Sequence, residues 1–142
     1  MNKSLSGRLL VLSFTSLISV ISSLAAAQSI VEGRTAQDRR FVAGGIGLDE
    51  SEHMKAISRD FPLSVLVATK SGAYLADTHI RIEDARGQTI LETQLAAPYL
   101  LIDLAQGKYK VEATHKGETR QQSVNIDTNT RAKVVFSFDV PS

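Results

Sequence analysis

Gly107-Lys108-Tyr109-Lys110-Val111-Glu112-Ala113-Thr114 decides the fold class of this 142-residue chain. Tyr109, Val111 and Ala113 share one side of a period-two alternation, and Lys108, Lys110, Glu112 and Thr114 share the other. Side chains of an extended strand point alternately to opposite faces, whereas a helix would mix the two sets. The stretch therefore predicts a half-buried β-strand.

The same pattern continues outward in both directions. Residues 63–69 are apolar on both faces, as in a strand buried at a sheet centre or beneath a helix. His79-Ile80-Arg81-Ile82-Glu83 alternates, and Asp84-Ala85-Arg86-Gly87 turns the chain into a strand over 88–93. Another strand covers 98–104, with Leu100, Ile102 and Leu104 on one face. His115-Lys116-Gly117 makes a hairpin into 118–126, and residues 127–130 turn into a last strand where Ala132, Val134, Phe136 and Phe138 alternate with Lys133, Val135, Ser137 and Asp139. Seven short strands with closely spaced turn signals predict an all-β, seven-stranded immunoglobulin-like (prealbumin-like) β-sandwich over residues 61–140, preceded by a short N-terminal helix.

The run Gly72-Ala73-Tyr74-Leu75-Ala76-Asp77-Thr78-His79-Ile80-Arg81-Ile82-Glu83-Asp84, then Gly87, then Leu104-Ala105-Gln106-Gly107-Lys108-Tyr109-Lys110-Val111-Glu112-Ala113, resembles the carboxypeptidase regulatory-like (transthyretin-like) family. The likeness spans residues 61–138 and departs at Ala96-Ala97-Pro98-Tyr99, where that family commonly places a glycine before the aromatic. It implies a non-catalytic sandwich of seven strands that serves as an accessory module. The transthyretin-related hydrolases of 5-hydroxyisourate carry a Tyr-Arg-Gly-Ser end. This chain reads Ser137-Phe138-Asp139-Val140-Pro141-Ser142 instead, which removes the main motive for proposing that activity.

The N-terminus reads as an address. Lys3 and Arg8 precede an uncharged stretch over 9–31, which contains the small residues Ala25-Ala26-Ala27. A basic start, an apolar middle and an A-x-A finish predict a signal peptide over 1–27, cleaved after Ala27, and a bacterial periplasmic or secreted protein. The stretch is also long enough for a membrane anchor, so a membrane contact is expected only if it stays uncleaved. Cleavage would remove Lys3 and Arg8 from 16 basic residues, leaving 14 against 15 acidic ones and a formal net charge of −1. That balance gives no electrostatic footprint for nucleic acid. The chain has no cysteine, so no disulfide supports the fold in an oxidising compartment that would permit one.

Residues 28–47 read as a flexible, glycine-containing arm. Residues 48–60 read as the helix, with Asp49 as its N-cap and Glu52 completing a capping box. Met54, Ile57 and Phe61 would share the side that covers the sheet, and Pro62 would stop the helix before Phe61. Within the arm, Phe41, Val42, Gly44 and Gly45 form an extended apolar stretch that can add to a sheet edge, its own or a partner's, and are the candidate partner-binding residues. Removing residues 28–47 should then weaken capture while leaving the sandwich folded.

Chemistry-bearing patterns are few. His53 on the helix, His79 on an outward strand face and His115 in a hairpin turn share no ligand spacing and read as separate surface histidines. Asp127-Thr128-Asn129 lacks the remaining ligands of a calcium loop and reads as an Asx turn. No nucleophile motif is present, and no catalytic, cofactor or metal residue is assigned. The expected function is a non-catalytic envelope module that binds another envelope protein. The alternative is a carbohydrate or small-ligand sandwich with Tyr74 and Tyr99 as stacking residues.

Overall fold

Leu63–Thr69, the strand apolar on both faces, occupies the interior of a sheet in the computed structural model, which describes residues 30–140. The expected signal peptide, 1–27, lies outside the described residues. Among those residues, nine strands and one short α-helix run in the order β1 Val31–Arg34, β2 Arg40–Gly44, α1 Leu48–Ile57, β3 Leu63–Thr69, β4 Thr78–Asp84, β5 Thr89–Leu95, β6 Tyr99–Ile102, β7 Gly107–His115, β8 Glu118–Ile126 and β9 Ala132–Phe138. They form a five-stranded sheet, β1-β2-β6-β3-β9, and a four-stranded sheet, β5-β4-β7-β8.

Alternation sets the core. Leu63, Val65 and Val67 of β3 and Val134, Phe136 and Phe138 of β9 point inward from the first sheet. Ile80 and Ile82 of β4 and Tyr109, Val111 and Ala113 of β7 meet them from the second. The Tyr109 octapeptide is therefore a strand with the faces its alternation requires. The Tyr109 hydroxyl donates to the carbonyl of Ala105 at 2.7 Å, tying the ring to the turn that begins its own strand. β3 and β9 pair in parallel, from Leu63 opposite Ala132 to Thr69 opposite Phe138.

The seven-strand expectation is corrected to nine, because the segment expected to be a flexible arm is a β-hairpin. Thr35 N–H donates to the Arg39 carbonyl at 2.9 Å, Arg39 N–H donates to Thr35 Oγ1 at 3.1 Å, and Asp38 takes a left-handed φ of 59° with its carboxylate on Arg34. β2 pairs with β1 on one side and with β6 on the other. Gly33 leaves room for the Phe41 ring, since a Cβ there would sit 2.5 Å from Cζ of Phe41 and the ring would have to shift. Burial drives the docking. Val42 is fully buried and packs with Met54, Phe61, Tyr99 and Leu101 in a second apolar cluster on the outer face of the five-stranded sheet.

That cluster explains the helix. Met54 is buried, and Ile57 and Phe61 pack beside it as their spacing implied. A 3₁₀ turn at Ser58–Asp60 ends the segment, and Phe61 is extended (φ −121°, ψ 137°), the geometry that a proline at the next position favours. The N-terminus differs from the capping-box expectation. Gly47, with φ 81°, occupies the cap position, and Asp49 makes no capping bond. The Glu50 carboxylate instead accepts from the N–H groups of Ile46 (3.1 Å) and Gly45 (3.3 Å), a use of the positive helix end that fixes the turn from β2 into α1.

Tyr109→Ala should lower stability by about 3–5 kcal/mol. Tyr109→Phe, which loses only the bond to Ala105, should lose about 1 kcal/mol. Urea denaturation measures both, and a Phe variant as stable as the parent would remove the hydroxyl from the account. The hairpin also reverses the expectation for the deletion. Without residues 28–47 the β6 edge and the Tyr99–Leu101 face are uncovered, so the truncated chain should unfold at lower urea or lose its cooperative transition.

Candidate functional site

Tyr74 and Tyr99, separated by 25 positions in sequence, are brought together beside the helix. Their hydroxyls lie 3.0 Å apart, with ring centroids at 5.4 Å and planes at 78°, an edge-to-face pair. Two different elements place them. Tyr99 begins β6 and points to the outer, helix-covered face, where Gly45 lies against its ring; a Cβ at Gly45 would be 2.5 Å from Tyr99 Cδ2, and its φ of +106° suits glycine. Tyr74 comes from the loop after β3 and is held over the same sheet by a bridge to Ala68 and by the bond from Leu75 N–H to the Val67 carbonyl.

Their environments are opposite. Tyr99 is 4% exposed and Tyr74 42%. The hydrogen bond from Tyr99 holds the Tyr74 phenol below the ordinary tyrosine value, against a smaller effect of burial, and Lys55 and Lys133 act in the same direction as Tyr99. Burial pushes the Tyr99 phenol upward, and its bond to Tyr74 adds to that. Tyr109 is likewise raised, chiefly by burial. Lys55 is an exposed residue of α1 whose ammonium group helps to lower the Tyr74 phenol. Lys133 is exposed on β9, opposite Ser64, two residues before Val135. Val135 is 44% exposed and lies opposite Leu66, which is opposite Tyr99. The result is a small face in which one exposed aromatic ring lies over a sheet face carrying the exposed Val135 and the half-buried Leu66.

The other candidates separate clearly. Val42, Gly44 and Gly45 are buried, Phe41 is half-buried against the core, and β2 is paired on both edges, so the four residues build the protein's own sheet and present no free edge to a partner. The two-ring stacking platform is also corrected: Tyr99 is covered, and only Tyr74 offers a face. His53 is exposed, and His79 lies 3.1 Å from the Glu92 carboxylate. His115, expected on the surface, is instead the buried last residue of β7. Its Nδ1 is 3.4 Å from Thr78 Oγ1, its ring is 5.6 Å from that of Phe138, and Nε2 has no partner among the described residues. No group of three metal-binding side chains occurs among the described residues.

A depression of about 620 Å³ lies where the β4–β5 turn meets β7 and β8, and includes Glu83, Asp84, Lys108 and Tyr109. Most of its charge is already matched. Glu83 pairs with Lys110 (3.0 Å) and Arg81 (2.6 Å), and Lys110 above all holds its carboxyl below the usual range. Asp84 accepts from the N–H groups of Arg86 and Gln88, both at 2.9 Å, inside its turn.

Residues 64–137, which run from the second residue of β3 to the last but one of β9, match the Rhizobiales growth-associated tandem repeat domain. The chain belongs to this family. No curated protein matches it. The tandem repeat domain thus comprises the seven strands β3 to β9, while β1, β2 and α1 precede it and cover its β6 edge and outer face. The pairing of Tyr74 with Tyr99 is not legible in the sequence, because the two positions meet only after the sheet forms.

A near-ultraviolet phenolate titration tests the pair. Tyr74 should ionise first and Tyr74→Phe should remove the earliest step. A phenol held above its unfolded value stabilises fully at neutral pH, and that contribution is lost as pH rises past about 10 toward the folded value. Tyr99→Phe should therefore flatten the alkaline loss of stability. Three tyrosines ionising together would contradict the arrangement.

Proposed function

We propose that this protein is a non-catalytic binding module of the bacterial cell envelope, periplasmic or secreted, that holds another envelope protein against the face around Tyr74. The observation that carries the reading is the composition of that face. An exposed tyrosine packs against a buried tyrosine on the sheet face that also carries exposed Val135, and anchors of interfaces concentrate in such aromatic centres. The family's name supports a bacterial source and a role as a repeated unit. The N-terminal basic and apolar run supports export.

The finer fold reading, an immunoglobulin-like sandwich of prealbumin type akin to carboxypeptidase regulatory-like modules, belongs to the same proposal. It is supported by the Tyr109 hydroxyl bonding back to a carbonyl upstream, a device of immunoglobulin-like sandwiches. The β3–β9 pair supports the modular role. Because the two strands are parallel and in register, the matched segment begins near one end of the pair and ends near the other, four residues along, about 13 Å apart at roughly 3.3 Å per residue. A module with that geometry acts as a spacer between its N-terminal and C-terminal neighbours.

Crosslinking capture from intact envelopes, with the captured proteins identified by mass spectrometry, tests this reading. The parent protein should hold one reproducible partner, and Tyr74→Ala, which removes an exposed ring and leaves the core intact, should release most of it. Unchanged capture by that variant would move the docking face elsewhere.

A further inference from the structure

We infer that two copies of this chain pair through the free edge of β9, antiparallel and with Val135 on the two-fold axis, joining their five-stranded sheets into one. The part of that sheet inside the matched segment, β6-β3-β9, has two edges. β2 takes the β6 edge, whereas β9 pairs only with β3 and is an end strand of the sheet. The second sheet does not fill this edge. A groove of about 400 Å³ runs between β8 and β9, with Arg120, Gln121, Val135 and Ser137 among its lining residues. A strand with one row of N–H and C=O groups unpaired is a template for another strand.

The side chains of β9 fit a second copy of β9. Arg131, Lys133, Val135 and Asp139 are exposed, and Ser137 is half-buried. In an antiparallel pair centred on Val135, each residue meets the one equally far beyond the centre. Arg131 then faces the second copy's Asp139, Lys133 faces its Ser137, and the two Val135 side chains face each other. Opposite charges meet at both ends, an apolar pair meets in the middle, and no like charges are opposed. Parallel pairing of the same edges would set arginine against arginine at position 131 and aspartate against aspartate at 139. Asp139 meets Lys70 of its own copy but keeps 65% of its side chain exposed, which leaves room for a second cation. The other three edges are poorer templates. β1 spans four residues and includes Gly33, the β4–β5 pair carries a register shift, and every exposed position of β8 is polar. A two-fold axis closes the pair, so the product is a dimer and not a filament. This association is separate from docking at Tyr74, because edge-to-edge pairing extends the sheet sideways and leaves Tyr74 on its outer face. A seven-residue edge is a small interface, so the dimer should be weak and concentration-dependent.

Sedimentation equilibrium of the purified protein at low salt, over a wide concentration range, reads the association. The parent should pass from monomer to dimer with no larger species. Arg131→Glu opposes two carboxylates at each end of the pair, and Asp139→Lys opposes two cations there. Each variant alone should therefore dimerise about tenfold more weakly. Mixed in equal amounts, the two variants complement each other at both ends, and association should return to within about threefold of the parent. Only a register that opposes position 131 to position 139 gives that recovery. Val135→Lys brings two ammonium groups together on the axis and should abolish the dimer. All three positions are exposed, so unchanged urea midpoints should accompany these losses. A parent that stays monomeric up to about 1 mM overturns the inference. Growth into larger species does so too, since it marks head-to-tail pairing of β9 with β1. Variants as dimeric as the parent, or a mixture no stronger than either variant alone, overturn the β9 pairing.

Discussion

The parallel pairing of β3 with β9 is the constraint on which the rest of this structure depends. It joins the first and last strands of the tandem repeat domain, so the ladder closes a loop that spans every intervening strand. Loop closure over such a span is costly in entropy, and it is offset by the side chains that the pair contributes. Leu63, Val65, Val67, Val134, Phe136 and Phe138 form one wall of the core, and all are buried. With that wall fixed, the period-two alternation of β4 and β7 leaves one way to bury their apolar faces, which is against it.

The segment before the domain completes it. Taken alone, the strands β3 to β9 leave β6 with an unpaired edge and leave Tyr99 and Leu101 on an uncovered face. Unpaired edges and large apolar patches invite association. Here β2 pairs with that edge and α1 lays Met54 and Phe61 over the patch, so both are satisfied within one chain. The same docking shapes the proposed binding face. Gly45 lies against Tyr99, and Tyr99 supports Tyr74. Stability and the proposed recognition thus draw on one set of contacts: the buried half of the tyrosine pair belongs to the outer apolar cluster, and the exposed half belongs to the surface.

The two ends of the second sheet show how polar groups are handled elsewhere. At the β4–β5 turn, Glu83 is nearly buried but shared between Lys110 and Arg81. At the opposite end His115 is buried against Phe138 with one ring nitrogen unmatched among the described residues. A hairpin position in the sequence suggested exposure for that histidine. Its side chain joins the inward set of β7, two positions beyond Ala113, because the strand runs one residue past its clean alternation before turning at Lys116-Gly117.

By itself, the sequence determined the strands of the domain and their inward faces, because alternation is a local property: each residue's side is set by its neighbour's. It also determined where the helix stops, since Pro62 constrains Phe61 whatever lies around it. Tertiary structure decided the rest. The polarity of Val31-Glu32-Gly33-Arg34 looks like that of a loose arm, and only the complementary edge of β6 and the apolar surface under Val42 turn the segment into paired strands. Tyr74 and Tyr99 were both legible as candidates, yet their separation into one exposed and one buried ring arises from contacts between elements distant in sequence, the loop after β3, β6 and the turn at Gly45. Such contacts leave no mark in local spacing, because the distances involved are set by how sheet, loop and helix pack and not by the chain that connects them.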